Sequence, residues 1–531
     1  MNKPNQLRQV NKHLSFSENK DRSVYPWTHR DGIYVKGYIY SNNSIITGQD
    51  LISYFAGVDN VTSLKSKLEE ANGYFAVIID GFSKMFAAVD RVCSTHLFYR
   101  VKEEIEVGDS YKGFLERPCI VNKAAMKSFL ASGYVHGEDT LLEDTYQVPA
   151  GGILTIDKDN GKEKISQYFS YLPKVDKKSK SEKDFLNDLH ATHLHVFERM
   201  VSSLNGRQAV VPLSGGYDSR LIIEMLAHFN HRNVLCVTWG PENYWQVKIA
   251  RDVAHSMGMD WLRVENTSEQ WREWYEAGGF DVEMEAAGAL ATIPYIQDNV
   301  LIENMKKQNK IASDAVFISG NTGDFVEGGH AGRIYTNDEV DNLLDAITSL
   351  HLRMHKLRVP EDVTSRIKDE ILAFKDMYDD INGFDEYWEW RERQSKFVTK
   401  CIKPFETNGF EWRMPFWDLE IMEFWRSVPR EMKVNRKLFY EYAEKFMNPR
   451  LPQANPSISF IRRYTDALTD GRYAFYRSGA SMFSGLLSSN KRASGVDLGD
   501  LIFHTPTNLT RLPGLFALDV CGRIVEATGR S

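Results

Sequence analysis

The sequence predicts an α/β protein in two parts: an antiparallel α+β sandwich, then a parallel sheet wrapped by helices. Three observations lead there. From Gly32 to about Ser170, short strand-like runs alternate with turn residues. From Asp184 onward, helical and strand-like patterns alternate, which implies a parallel sheet covered on both faces. Residues 210–220, V-V-P-L-S-G-G-Y-D-S-R, read as strand, tight glycine turn and helix start.

A chain of 531 residues has room for two or more domains and a large core. Its 42% apolar and 26% charged residues fit a soluble globular protein. The net charge of −7 argues against a dedicated nucleic-acid binder, which would be basic. No run of about 18 apolar residues occurs, so no membrane helix is expected. Residues 1–24 are polar and lack the apolar stretch of a secretory signal. Five scattered cysteines, odd in number and without metal-type spacing, suggest reduced thiols in a cytoplasmic protein.

Taken in order, residues 1–25 are polar and expected to be poorly ordered. Strands are expected over 33–40, 74–79, 85–89, 96–101 and 153–156, with turns at Asn42-Asn43, Asp80-Gly81 and Gly151-Gly152. Helical patterns fall at 51–55, 64–71 and 123–131. The lysine-rich run 174–183 reads as a solvated linker, so the first domain is placed at 26–173 and the second at 184–531. In the second, a helix at 185–204 leads to strand 209–213. Strand 234–238, helix 247–257 with Gly258 as C-cap, and strand 315–318 follow. Residues 465–531 carry no legible motif.

The chemistry concentrates where strands end, which is where parallel sheets bind ligands. In Ser214-Gly215-Gly216-Tyr217-Asp218-Ser219, the turn aims backbone N–H groups at one spot, and the helix dipole adds positive potential. Gly215 and Gly216 let a phosphate approach closely. Asp218 would repel that phosphate unless a cation lay between them, and Mg²⁺ is typically held by one or two carboxylates plus phosphate oxygens. A second loop, Ser319-Gly320-Asn321-Thr322-Gly323-Asp324, again follows a short apolar strand. Asp324 is far from Asp218 along the chain, so only the fold can bring the two together.

The string S-G-G-x-D-S resembles the pyrophosphate loop of ATP pyrophosphatases, and no Walker A string occurs. Gly73-Tyr74-Phe75-Ala76, Asp80, Asp90-Arg91 and Leu97-Phe98-Tyr99 look like the N-terminal glutaminase domain of the asparagine synthetase family. So do Gly133-Tyr134-Val135, Thr140-Leu141-Leu142 and Val148-Pro149-Ala150-Gly151. Residues 319–330 resemble that family's S-G-x-G-x-D-E-x-x-G-G-Y, whose aspartate binds Mg²⁺; the resemblance implies that Asp324 shares the metal with Asp218. Phe325 and His330 depart from it, and Glu327 is a candidate for the missing acid. Phe410-Glu411-Trp412-Arg413-Met414-Pro415-Phe416-Trp417-Asp418 resembles V-E-x-R-x-P-F-L-D, which places Glu411 at the glutamate used around amide formation. The implied role is to orient or deprotonate the amine. Arg413 and Asp418 read as a structural ion pair, and Tyr378 or Tyr387 as the tyrosine that β-lactam synthetase pairs with its glutamate. The family's late lysine is absent from 451–460, with Arg462 or Arg463 as stand-ins. Leu213, Val237 and Trp239 are expected either against adenine or simply in the core.

The resemblance implies an Ntn-type α+β sandwich followed by a Rossmann-like ATP-pyrophosphatase domain. Class II glutaminases use an N-terminal cysteine, whereas Asn2 follows Met1 here, so no glutaminase activity is expected, as in β-lactam synthetase. The implied reaction adenylates a carboxylate with ATP and Mg²⁺, then joins it to ammonia or an amine. Asparagine formation from free ammonia and intramolecular cyclisation are alternatives within the class. An ATP-binding regulatory protein without catalysis is the alternative outside it. The expected partners are small carboxylates and amines, and the resemblance allows a homodimer.

Overall fold

The structure, a computed structural model, describes residues 11–17, 24–175, 180–240, 242, 245–352, 359–448 and 512–528. It is α/β, with two antiparallel-rich sheets ahead of one parallel sheet. The first part contains β1 (Asn11–Ser15), β2 (Thr28–Arg30), β3 (Ile33–Ser41), β4 (Ser44–Thr47), α1 (Gly48–Phe55), α2 (Val61–Glu70), β5 (Gly73–Asp80) and β6 (Lys84–Val89). It continues with β7 (Phe98–Val101), β8 (Glu104–Gly108), α3 (Tyr111–Leu115), α4 (Lys123–Ser132), β9 (Tyr146–Gln147), β10 (Gly152–Asp157) and β11 (Glu163–Gln167). One sheet runs β11-β10-β6-β5-β3-β2 with β4 on β3, and the other runs β1-β8-β7-β9. Central β5 is buried on both faces, so its G-Y-F-A-V-I-I-D is continuously apolar and does not alternate.

The second part begins with α5 (Glu182–Ser202), β12 (Ala209–Pro212), α6 (Tyr217–His228), β13 (Val234–Trp239), α7 (Trp245–Ser256) and β14 (Asp260–Val264). Then come α8 (Ser268–Glu276), α9 (Gly279–Ala287), α10 (Asn299–Lys307), β15 (Val316–Ile318), the single turn α11 (Gly323–Val326), α12 (Val340–His351), α13 (Glu361–Tyr378) and α14 (Phe384–Glu389). The described chain closes with α15 (Lys403–Thr407), β16 (Glu411–Arg413), α16 (Leu419–Ser427), α17 (Arg430–Lys433), α18 (Lys437–Phe446) and α19 (Leu512–Thr528). The parallel sheet has the order β14-β13-β12-β15-β16. The chain leaves central β12 towards β13 and β14, then returns on the other side of β12 to form β15. That reversal opens a crevice at the carboxyl ends of β12 and β15.

The two parts share one core. The Tyr38 hydroxyl donates to the Trp412 carbonyl at 3.2 Å, the Trp390 indole to the Arg91 carbonyl at 2.8 Å, and the Lys396 ammonium to the Val135 carbonyl at 2.8 Å. Helix α19 packs on α3 and α4, while its Asp519 accepts from Tyr275 at 2.9 Å.

Several expectations change. Residues 11–15, expected to be poorly ordered, form β1 and pair in parallel with β8, whereas Asn2 lies outside the described residues. Residues 182–183 of the expected linker already belong to α5, because Ser181 and Asp184 close a capping box. Strands β2, β4, β8, β9, β11, β14 and β16 add to those named from the sequence. Among the described residues, no helix is long and apolar enough to cross a membrane.

Candidate nucleotide site

A cavity of about 870 Å³ opens at the crevice between β12 and β15. Leu213, Val237 and Trp239 wall it at the ends of β12 and β13. Ser214, Asp218 and Ser219 enter from the first loop; Ser319, Gly320 and Asp324 enter from the second. The fold therefore gathers these nine residues around one space.

Serines shape the first loop. Ser214 N–H donates to Ser219 Oγ at 3.1 Å, and Gly216 N–H donates to Ser214 Oγ at 3.1 Å. Buried Arg220, one turn into α6, donates to the Gly215 carbonyl at 3.2 Å. Gly216 is the N-cap of α6 and supplies no side-chain acceptor, so the helix's first N–H groups are left for an anion. Gly215 and Gly216 form this turn without lining the cavity itself. A Cβ at Gly215 would meet Trp245 only at 3.5 Å, so internal packing does not demand glycine there. The second loop does demand it. A Cβ at Gly320 would lie 3.2 Å from Ser219 N, and one at Gly323 would lie 2.8 Å from Asp218 Cγ. These two glycines let the second loop settle directly on the first. Thr322 between them holds φ 82°, a strained value for a β-branched residue, and strain of this kind gathers at functional sites.

The acids are answered by cations that the sequence reading did not place there. Arg436 Nη2 donates to Asp218 Oδ1 at 2.5 Å and also to Glu327. Burial pushes the Glu327 carboxyl well up, and nearby Asp218 and Asp324 add to this against the pull of Arg436. Its Oε1 is buried without a partner among the described residues. For Asp324, burial alone would raise the carboxyl, but His330, Arg436 and Arg393 bring it down to about 2. His330 lies between two acids, with Glu389 2.7 Å from Nδ1 and Asp324 3.5 Å from Nε2. Burial would discharge this imidazole, yet the two carboxylates hold it at about 9, so it is a cation at neutral pH.

Among the described residues, no three His, Cys, Asp or Glu side chains converge to hold a metal by themselves. Asp218 and Asp324 keep 21% and 40% of their side chains open and face the cavity. They fit a Mg²⁺ ion whose remaining ligands are phosphate and water, provided Arg436 yields Asp218.

The third motif is placed elsewhere. Strand β16 pairs Glu411 with Val316, at the amino end of the sheet and away from the loops. Glu411 is tied to Arg207 at 2.5 Å, to Arg413 at 3.0 Å and to the Tyr25 hydroxyl at 3.3 Å. It does not line the cavity, so the role expected for it at the amine has no geometric support. Arg413 pairs with Glu411 and not with Asp418, which takes Arg199 at 2.9 Å. Phe325 is a core residue against Tyr171 and Trp417. Tyr378 is exposed on α13, and Tyr387 lies under Arg391; neither lines the cavity. Arg462 and Arg463 lie outside the described residues.

No family model matches the chain, and no curated protein matches it. Among solved structures, one described as the allosteric regulatory enzyme of purine biosynthesis shares 10% identity. It covers 46% of this chain and 71% of its own, with a TM-score of 0.19. Glutamine phosphoribosylpyrophosphate amidotransferase from B. subtilis, complexed with ADP and GMP, shares 9% identity. It covers 55% of this chain and 63% of its own, with a TM-score of 0.17. These scores are too low to assign a function.

Proposed function

We propose that the chain is an ATP-dependent, AMP-forming amide ligase similar to the asparagine synthetase family, without a glutaminase of its own, acting in the cytoplasm. The supporting observation is the meeting of Asp218 and Asp324 across Gly323 at a helix N-terminus, in a cavity at the sheet's reversal point. The first turn of α6 would take the phosphates, and Leu213, Val237 and Trp239 would take the base. Mg²⁺ held by Asp218 and Asp324 would offset the phosphate charge. Arg436 and His330 are positioned to stabilise negative charge as pyrophosphate leaves, the part expected of a late lysine. A carboxylate is a poor electrophile, so adenylation precedes attack by the nitrogen. Small carboxylates and amines are the proposed substrates.

Exchange of labelled pyrophosphate into ATP, scanned over candidate acids, tests this reading. Wild type is expected to exchange with at least one acid. Asp218→Ala is expected to lose exchange while keeping its circular dichroism. Unchanged exchange in the variant would refute the metal role. The ion pairs that already close Asp218 favour a second reading, a nucleotide-binding regulatory protein. Nucleotide binding without exchange for any acid would select it.

A further inference from the structure

Beyond the loops, the cavity has a second wall that includes Asn266, Tyr295, Gln297 and Asp298. Asp298 stands at the N-cap of α10, where an aspartate ordinarily accepts an N–H bond from the first turn. Its backbone, φ −99° and ψ −13°, is helical and not extended, and its carboxylate makes no capping bond. The residue is 8% exposed, lines the cavity, and has no hydrogen-bond or ion-pair partner for its carboxylate among the described residues. A carboxylate left this way is costly unless water or a ligand in the cavity satisfies it.

We propose that Asp298 receives the nitrogen donor, a compact ammonium or primary alkylammonium cation, and takes a proton from it so that the freed amine can attack. This rests on the ligase reading above. It also supplies the carboxylate that Glu411, held in ion pairs at the other end of the sheet, does not. Asp298 first takes one proton from the ammonium, which frees the nitrogen lone pair to form the C–N bond at the acyl carbon. The C–O bond to the AMP phosphate breaks and its electron pair leaves on the phosphate oxygen. The second N–H proton, lost from the nitrogen after attack, passes to water, as does the proton held by Asp298.

Burial holds the Asp298 carboxyl at about 7, with no charged group among the described residues offsetting it. The helices around α10 bring a mixed set of charges that is only partly paired. Lys403 on α15 pairs with Glu406 at 2.9 Å, and Glu283 on α9 bonds Thr407. Helix α8 adds Glu269, Arg272, Glu273 and Glu276. Cys401 is the titratable group whose ionisation Asp298 opposes. A carboxyl poised near neutrality is suited to exchange a proton with an amine.

Two measurements on the full chain test the proposal. In protein carrying ¹³C-carboxyl aspartate, the resonance lost in Asp298→Asn is titrated with and without methylammonium. The cation is expected to lower its midpoint by favouring the charged form. Asp298→Asn is also expected to keep pyrophosphate exchange within about twofold, while its KM for amine rises about 10- to 100-fold, the value of a hydrogen bond to a charged group. An unmoved resonance, or an unchanged amine KM with exchange intact, overturns the proposal. Loss of exchange together with amide formation does so as well, since Asp298 would then serve adenylation. No exchange in wild type with a resonance that still responds to methylammonium would remove the ligase reading and leave the cation site standing.

Discussion

Replacing Arg436 with alanine probes the charge balance of the site directly. Its guanidinium serves Asp218 and Glu327, with Asp324 in the same field. Without it, three carboxylates face one another, and Glu327 is wholly buried. Deleting one partner of a buried ion pair costs about 3–5 kcal/mol. Two features reduce that cost here: Asp218 and Asp324 remain partly open to water, and burial already favours a proton on Glu327. The expected loss is therefore near the lower end, about 3 kcal/mol. A divalent cation would restore the balance. At one hundred times its dissociation constant, Mg²⁺ adds about 2.7 kcal/mol to the state that binds it. Urea unfolding of wild type and Arg436→Ala, each with MgCl₂ and with KCl at matched ionic strength, reads both numbers. Mg²⁺ is expected to stabilise the variant well beyond wild type, because in wild type it must first displace Arg436. Equal stabilisation of the two proteins, or a variant as stable as wild type, would refute the reasoning.

Two further outcomes follow from the ion pairs. The folded protein raises His330 from 6.5 to about 9, so the stability it contributes is fully present below pH 6.5 and is lost as pH rises through about 9. The shift corresponds to about 3 kcal/mol, and His330→Gln is expected to flatten that part of the stability–pH profile; an unaltered slope would exclude the pairing with Glu389. Glu411→Gln is expected to destabilise the protein by about 1–3 kcal/mol through Arg207 and Arg413, leaving pyrophosphate exchange and amine KM intact. A large loss of turnover at unchanged stability would return Glu411 to the chemistry.

What the sequence disclosed was local. The loops at 214–219 and 319–324 are legible because strand, turn and helix start are written in consecutive residues. Their meeting depends on β15 lying beside β12, which follows from the single reversal in strand order. The string around Glu411 misled because residue type does not disclose depth along a strand. Three residues into β16 the chain reaches the carboxyl edge, but Glu411 itself stands at the amino edge. Asp298 was silent for the opposite reason. An aspartate before a helix reads as a cap, and only the backbone angles show that it does not cap. Arg436 was equally hidden: it occupies the left-handed region with φ 61°, a conformation that tertiary contacts impose on an arginine.

The site's charges suggest an order of events. Asp218, Asp324, Glu327 and Glu389 stand together with Arg436, His330 and Arg393, so the cavity contains a nearly complete set of ion pairs. A triphosphate arriving alone would meet two carboxylates; a metal arriving alone would meet Arg436. Arriving together, the metal takes the aspartates and the phosphates take the released guanidinium, so each displaced partner finds a new one. Under the proposed ligase reading, the exchange would cost least when both bind in one step, so that reading favours the metal–nucleotide complex over free nucleotide. Asp298 stands outside that exchange, with no partner to lose, and its carboxylate stays available for a cation that enters afterwards.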